Sequence, residues 1–251
     1  MLPADTHIVL VRPRRALNLG GVARAMKNFG LCRLTLVASQ IGSWADAWRM
    51  AVKADDVLRA TTQTDDLDQA LADATWIVGT TNRARPGQRL LSPREVAVAA
   101  LVRGAPTILF GDENSGLSNP ELLRCHDVAT IATAPEQSSL NLAQAVLVFA
   151  HELFVAATPA SALVHAASMA APAVDLCTDE LLQRLAEKLS HALSNSAWTD
   201  ASRERDAILE LMQPFRRAQL TQQELLAWLT ALGKIVQPRG RGRGGPSGIA
   251  T

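Results

Sequence analysis

The sequence predicts an α/β protein with a mostly parallel sheet that is covered by helices on both faces. Short apolar runs, such as HIVLV at 7–11 and TILF at 107–110, alternate with segments whose apolar residues recur at helical spacing. Apolar runs of this length without polar alternation are typical of strands buried on both faces, as in parallel sheets. Because the alternation continues to about residue 157, we expect residues 1–157 to form one α/β domain.

Each element of this domain has a local signal. Strands are predicted at 7–11, 34–38, 61–64, 76–80, 107–110 and 128–132, and helices at 18–29, 44–60, 66–72 and 140–154. A further helix is expected after Ser92, because Pro93 and Glu95 complete a capping-box pattern. Asn18 is predicted to cap the first long helix, and Gly30 to end it. The helix at 140–154 is apolar nearly all round, so we expect it to be buried.

A second, smaller unit is predicted to follow. The stretch 153–174 carries no formal charge, but its small residues and two prolines favour a linker, placed at 158–175, over a membrane span. A capping sequence at Thr178 and helical leucine spacing predict a helical appendage over 176–236. Its second and third helices are expected at 201–212, ended by Pro214, and at 221–235. The Gly/Arg-rich tail, 237–251, is expected to be disordered, with or without RNA contacts through its arginines.

Charge and cysteine content narrow the class of protein. The net charge is only +1, yet six basic residues and no acidic residue lie between Asp5 and Asp46. A basic surface facing a polyanion and a set of scattered solvated arginines both fit this pattern. The three cysteines have no metal-ligand spacing, which favours reduced thiols in a cytosolic protein without a metal. Residues 1–10 lack the apolar core of a signal peptide, so we expect a cytoplasmic location.

The first candidate motif is NLGGVARAMKNFG at 18–30, between a strand and a helix. Gly20 and Gly21 lack a Cβ and would let another backbone or a ribose-phosphate approach closely. Arg24 lies on the first turns of the helix, where an anion would also meet free N–H groups. An ordinary strand–helix turn with a surface arginine fits equally well. The glycine spacing does not match the common dinucleotide or P-loop motifs.

Two further motifs follow later strands. FGDENSGL at 110–117 would lie at the carboxyl end of a parallel strand, where open α/β sheets bind ligands, and Glu113 supplies a carboxylate there. A plain turn is the alternative. In the segment 131–145, Ser138 or Ser139 could cap the apolar helix, whereas the Asn141 amide is expected to need a buried partner or a ligand. The absence of a GxSxG elbow argues against a serine hydrolase.

Taken in order, the three motifs resemble a known family of enzymes. NxGxxARAM, FGxExxGL and SLNLAQAV are similar to the signatures of the SPOUT superfamily RNA 2′-O-methyltransferases, in the TrmH/TrmJ branch, over about the first 155 residues. The segment VGTTNR at 78–83 and the appended helices resemble the TrmJ members of that branch. The resemblance implies a SPOUT fold with a C-terminal trefoil knot and a homodimer. It also implies methyl transfer from S-adenosylmethionine to a ribose 2′-OH of tRNA, at the anticodon-loop pyrimidine of position 32.

The resemblance also implies which residues act. The cofactor would be contacted by Thr80, Thr81, Asn82, Gly111, Ile131, Ser138, Ser139 and Leu140. The reacting hydroxyl would be surrounded by Arg24, Glu113, Ser139 and Asn141. The RNA would be contacted by Arg12, Arg14, Arg15, Arg24, Arg83 and Arg85. Because a guanidinium keeps its proton at ordinary pH, we expect Arg24 to grip a phosphate and stabilise the developing alkoxide rather than act as a base.

The appendage is expected to serve RNA binding rather than chemistry. Its candidate contacts are Arg184, Lys188, Arg203, Arg205, Arg216 and Arg217, with solvated helix faces as the alternative. Two other functions remain open at this point: a ribosomal-RNA ribose methyltransferase of the same fold, and an RNA-binding relative without catalysis. The intact Arg24, Glu113 and Asn141 argue against the second.

Overall fold

The protein is described by a computed structural model that covers residues 2–83, 89–158, 175–194 and 203–236. Within these ranges its centre is a seven-stranded sheet with the order β3-β2-β1-β6-β4-β7-β5, in which all neighbouring strands are parallel. The strands are β1 (His7–Val11), β2 (Arg33–Val37), β3 (Thr62–Thr64), β4 (Ile77–Thr80), β5 (Leu90–Leu91), β6 (Thr107–Phe110) and β7 (Asp127–Ala129). The predicted α/β class is confirmed, and the trefoil knot stays a prediction.

Helices cover both faces of the sheet. They are α1 (Leu2–Asp5), α2 (Ala16–Asn28), α3 (Ala45–Met50), α4 (Asp55–Arg59), α5 (Leu67–Leu71), α6 (Pro93–Arg103), α7 (Asn119–Leu123) and α8 (Leu142–Ala156). Alternate residues of β1 enter two separate cores. Ile8 and Leu10 pack towards α2, α6 and α8, whereas Val9 and Val11 pack towards α5 and α7. This double burial explains why the strands are uniformly apolar.

The appendage has an apolar core of its own. Its helices are α9 (Asp179–Leu193), α10 (Glu204–Arg217) and α11 (Gln222–Val236). They share a cluster separate from the two cores of the sheet, formed by Leu182, Leu185, Ile208, Met212, Leu225 and Leu229. The division into domain, linker, appendage and tail stays a prediction. Most of the linker and the whole tail lie outside the described residues. None of the described helices is both long and apolar enough to cross a membrane.

Several local signals behave as expected. Ser92 and Glu95 form the capping box at the start of α6, and Gly30, with φ +74°, follows the end of α2. Thr178 caps α9 by accepting a hydrogen bond from the amide of Leu181. These features depend on residues three or four positions apart, which is why sequence alone identifies them.

Two predicted helix boundaries are wrong. The helix predicted at 44–60 is broken into α3 and α4, because Lys53 adopts φ +59° and the turn lets Ala51 and Ala54 both reach the core. The helix predicted to end at Pro214 continues through it to Arg217. Proline removes only its own N–H, and the buried Arg216 holds the last turn in place.

The expectation that the helix at 140–154 is buried on all sides is also wrong. The helix, α8, packs against α2 and α6 and buries Val146, Phe149 and Leu153. Leu147 and Phe154 lie on its remaining side, 40% and 45% exposed. An apolar face of a helix without an internal neighbour is typical of an interaction surface.

We predict that stability falls on mild acidification because of His126. Burial and the charge of Arg216 lower the pKa of His126 from 6.5 to about 4, and its Nδ1 accepts a hydrogen bond from the amide of Ile77 at 3.0 Å. The unfolded chain takes up this proton first, so the stabilisation is complete above pH 6.5 and is lost as the pH falls towards 4. The loss is about 3 kcal/mol for a shift of this size.

Urea unfolding at pH 7.5 and pH 4.5 measures this effect. His126→Asn keeps an acceptor but cannot titrate, so its free energy of unfolding should fall less between the two pH values than that of the unmodified protein. The exposed His191 provides the control, His191→Asn, which should leave the pH dependence as it was. An unchanged pH dependence in His126→Asn would show that the histidine is not responsible.

Candidate active site

The carboxyl ends of β4, β6 and β7 meet at one cleft of about 330 Å³. The loops that follow these strands supply its walls, as expected for an open parallel sheet. The structure brings together in this lining all eight residues predicted to contact a cofactor: Thr80, Thr81, Asn82, Gly111, Ile131, Ser138, Ser139 and Leu140. Phe110, Leu142 and Phe149 add an apolar floor. That these eight residues bind a cofactor stays a prediction, whereas the structure shows that they lie close together.

The loop after β6 is organised by Asp112. Its carboxylate accepts hydrogen bonds from the amides of Asn114 and Ser115 at 2.7 and 3.0 Å and forms an ion pair with Arg14. Burial opposes the charged form of Asp112, but the hydrogen bonds from Arg14 and from the two amides lower its pKa to about 2. The same loop closes on itself, because the amide of Gly116 donates to the carbonyl of Asp112 at 2.8 Å.

Three of the predicted RNA-binding arginines hold this loop instead of standing free. Arg83 donates to the carbonyls of Ser115 and Leu117 at 3.0 and 3.1 Å. Arg12 forms an ion pair with Glu121, and Arg14 one with the Asp112 carboxylate. Burial raises the pKa of Glu121, but the hydrogen bond from Arg12 contributes to a net lowering. These arginines therefore have structural partners that the local charge pattern did not predict.

The remaining arginines differ from these three. Arg15 and Arg24 are exposed, and neither side chain has an ion pair or hydrogen bond with a described residue. Arg24 lies on the outer side of α2 and does not line the cleft of its own chain. Arg85 lies outside the described residues. Arg216, a proposed RNA contact of the appendage, is 1% exposed and cannot reach a polyanion, so that expectation is wrong.

A chain of side-chain hydrogen bonds joins the three motifs. Asn18 donates to Glu113 Oε1 at 2.9 Å, and the Asn141 amide donates to Asn18 Oδ1 at 2.8 Å. Glu113 also accepts from the backbone N–H groups of Arg14 and Arg15 at 3.0 and 3.2 Å. Both oxygens of the Glu113 carboxylate are thus fixed in direction at the edge of the cleft.

This network corrects two predictions. Asn18 does not cap α2; the helix begins at Ala16, and the N–H groups just before it bind Glu113 instead. Asn141 itself is exposed, but its amide has the expected buried partner, Asn18, while its side-chain oxygen caps α8 by accepting a hydrogen bond from Ala143. Neither Ser138 nor Ser139 caps that helix. Asn18 is the site residue that the sequence analysis missed, because a helix-capping role explained it locally.

The paired glycines of the first motif serve helix packing. A Cβ on Gly20 would lie 2.4 Å from the carbonyl oxygen of Ala47 on α3, and one on Gly21 would lie 2.8 Å from Ala143 on α8. These glycines let two neighbouring helices approach α2 closely. They do not serve the expected approach of a ribose-phosphate at this point. Their effect on the site is indirect, since they bring α2 and its Asn18 up against α8.

Within the described ranges, no group of three His, Cys, Asp or Glu residues is placed to hold a metal ion. The polar groups of the cleft are hydroxyls, amides and backbone atoms, the Asp112 and Glu113 carboxylates, and the guanidinium of Arg83, which is bound to backbone carbonyls. Such a lining suits a neutral or cationic organic molecule with many hydrogen-bonding groups.

Comparison with known proteins agrees with this geometry. The sequence profile of the SpoU rRNA Methylase family matches residues 5–151. The tRNA (cytidine/uridine-2′-O-)-methyltransferase TrmJ of Klebsiella pneumoniae is 37% identical over 244 residues, covering 93% of this chain and 97% of that protein. TrmJ of Yersinia pestis is 37% identical over 255 residues, covering 97% of each chain. The crystal structure of TrmJ from Z. mobilis superimposes with a TM-score of 0.80 at 28% identity, covering 93% of this chain and all of that one.

The parallel sheet and the cleft at its carboxyl edge, together with these matches, define the protein as a methyltransferase. The chain belongs to the SpoU methylase family, and TrmJ proteins are among its relatives over nearly the whole length. The family assigned from the three sequence motifs is therefore confirmed.

We predict that Gly111→Ala disrupts the cleft. A Cβ at this position would lie 2.1 Å from the carbonyl carbon of Gly116 and 2.2 Å from the amide of Leu117, so the loop could not close. The free energy of unfolding should fall by about 1–3 kcal/mol, as for overpacking elsewhere. Thermal denaturation checks this. The control is Gly42→Ala, because a Cβ on Gly42 meets nothing within 4 Å. Equal midpoints for the two variants would contradict the close packing of the loop.

Proposed function

We propose that this protein transfers the methyl group of S-adenosylmethionine to the ribose 2′-OH of a pyrimidine in the tRNA anticodon loop, at position 32. The observation that carries the proposal is the cleft, which gathers the residues of all three motifs or fixes them by hydrogen bonds at its edge. The TrmJ relatives, which act on tRNA cytidine and uridine, support the substrate class. An enzyme of tRNA is expected to work in the cytoplasm.

The residues of the cleft fit the cofactor. Its volume lies within the range of small-molecule sites, and its lining combines apolar side chains with hydroxyl and amide groups. The tight turn at Gly111 leaves backbone groups at the cleft wall, where they can bind an adenosine moiety. Thr80, Thr81 and Ser138 to Leu140 would hold the molecule on its other sides. When bound, the cofactor supplies a methyl group already activated by a sulfonium, which makes a metal unnecessary.

The residues of the chain would then orient the ribose. Glu113 is fixed by Asn18 and by two backbone amides, so its position relative to the cleft is set before any substrate binds. Asn141 holds Asn18 in turn, and we assign Asn18 as a positioning residue. Ser139 presents an exposed hydroxyl at the cleft. Preorganised hydrogen-bonding groups of this kind cost no reorganisation when the hydroxyl reacts.

Arg24 is assigned to the cleft of a second copy of the chain. The spacing of α2 places Leu17, Gly21 and Arg24 on one face, and Leu17 is 55% exposed. The neighbouring α8 exposes Leu147 and Phe154 beside this face. An arginine that shares a helix face with an exposed leucine and does not line its own cleft fits a homodimer in which each chain donates Arg24 to its partner.

The function is tested by incubating the protein with labelled S-adenosylmethionine and either total tRNA or ribosomal RNA, followed by mapping of the methylated nucleotide. We expect label in tRNA, at the 2′-OH of the position-32 pyrimidine. The matching family description concerns rRNA, so stronger labelling of ribosomal RNA would overturn the tRNA proposal. Cofactor binding without transfer to either RNA would favour the RNA-binding alternative.

The exchange of Arg24 between subunits is tested by mixing two variants. Arg24→Ala should bind the cofactor normally but not transfer, and Ser139→Arg should block the cleft while keeping Arg24. Each is inactive alone. After subunit exchange, mixed dimers should restore about a quarter of the unmodified activity, since half of the dimers carry one complete site. No recovery in mixtures shown by light scattering to be dimeric would rule out the shared site.

A further inference from the structure

The appendage is anchored to the methyltransferase domain by one buried carboxylate, that of Asp179. This residue opens α9 and has no exposed surface. Its Oδ2 accepts a hydrogen bond from Arg124 Nη2 at 2.5 Å, and its Oδ1 accepts one from Arg216 Nη1 at 2.6 Å. Arg124 follows α7 in the domain, whereas Arg216 lies on α10 of the appendage. The carboxylate therefore joins two structural units.

The charges at this junction are nearly removed from water. Arg124 is 8% exposed and Arg216 is 1% exposed, and Arg216 Nε is buried without a hydrogen-bond partner among the described residues. Burial opposes ionisation of Asp179, but the charges of Arg216 and Arg124 lower its pKa. A buried ion network is costly to form and very costly to break, because each remaining charge is then left unpaired. Its presence at a domain junction fixes one geometry of docking.

Backbone contacts reinforce the same docking. The amides of Asp179 and Glu180 donate to the carbonyls of Ala74 and Ala72, at 2.7 and 3.2 Å. The Gln213 side chain of α10 donates to the carbonyl of Leu123, the last residue of α7. Leu123 directly precedes Arg124, and Gln213 lies on the same helix as Arg216. The end of α7 is thus held by two separate residues of the appendage.

The helix α7 leads directly from this junction to the candidate active site. It is five residues long and starts at Asn119, after the cap residue Ser118 and the loop that contains Glu113. Glu121, in the middle of α7, binds Arg12, and Arg12 lies just before the amides that hold Glu113. A short helix fixed at its far end constrains the loop at its near end, because little backbone freedom lies between them.

We infer that Asp179 is a positioning residue of the active site, which holds α7, and through it the loop at 111–117, by clamping Arg124 to Arg216. The inference rests on the proposed function for its catalytic consequence, but its structural part stands independently. It changes the expected role of the appendage. Residues after 176 would contribute to the shape of the cofactor cleft as well as to RNA affinity.

The test uses full-length protein and the variant Asp179→Asn, which keeps the size of the side chain. It leaves the buried Arg216 without a counter-charge and leaves Arg124 with only the more exposed Asp68 as its ion-pair partner among the described residues. Hydrogen–deuterium exchange of residues 112–123 is the first measurement, and calorimetric affinity for S-adenosylhomocysteine is the second. We expect amide exchange in the loop to rise about tenfold or more and cofactor affinity to weaken about tenfold. Glu180→Gln removes a neighbouring, exposed charge of the same sign and should change neither.

Two further variants keep the test decisive. If Asp179→Asn does not fold, Gln213→Ala removes the second contact with α7 without burying a charge, and loop exchange should still rise. Pairing Asp179→Asn with Arg216→Gln restores a neutral hydrogen-bonding pair and should recover part of the loop protection. Faster exchange confined to α9–α11, with unchanged loop exchange and cofactor affinity, would overturn the inference. Failure of the unmodified protein to bind S-adenosylhomocysteine would refute the proposed function instead, while the exchange data would still decide the role of Asp179.

Discussion

The arrangement of the candidate active site depends on the carboxylate of Glu113, which is held directly by groups from residues 14–18 and, through Asn18, by Asn141. It accepts hydrogen bonds from two amides before α2 and from Asn18 within α2, and Asn18 is bound by Asn141 at the start of α8. These contacts fix the positions of α2, the loop after β6 and α8 relative to one another. Two glycines on α2 make this possible, because side chains at Gly20 and Gly21 would push α3 and α8 away.

The arginines near the cleft show how a nearly neutral protein uses its positive charge. Arg12 and Arg14 bind carboxylates, and Arg83 binds two carbonyls of the loop at 111–117. A loop rich in Gly, Asn and Ser has few side chains with which to pack, so its shape must come from directional contacts. Charge-assisted hydrogen bonds supply such contacts, and guanidinium groups provide several donors in one plane. Three arginines of the basic stretches, Arg12, Arg14 and Arg83, are therefore scaffold.

Local signals in the sequence allow prediction of the sheet and of one capping box, and the resemblance to known enzymes implies the cofactor loops, while long-range pairings escape prediction. The capping box at Ser92 could be predicted because its partners are three residues apart. The pairs Asn18–Glu113 and Asp179–Arg216 could not, because their partners lie far apart along the chain. Asn18 and Asp179 each also had a sufficient local explanation, as a helix cap and as a first-turn acid. When a residue has a plausible local role, the sequence gives no signal that it also makes a long-range tertiary contact.

The distribution of unpaired charge supports the proposed homodimer. A cation beside the reacting nucleotide would hold a phosphate and stabilise the developing negative charge during methyl transfer. Among the described arginines close to the cleft, Arg14 binds Asp112 and Arg83 binds the backbone, whereas the side chain of Arg15 has no ion pair. Arg24 is also unpaired within the described ranges, and it lies on the outer face of α2, next to the exposed side of α8. The proposed homodimer would bury this apolar surface and bring Arg24 of each chain to the cleft of its partner in a single contact.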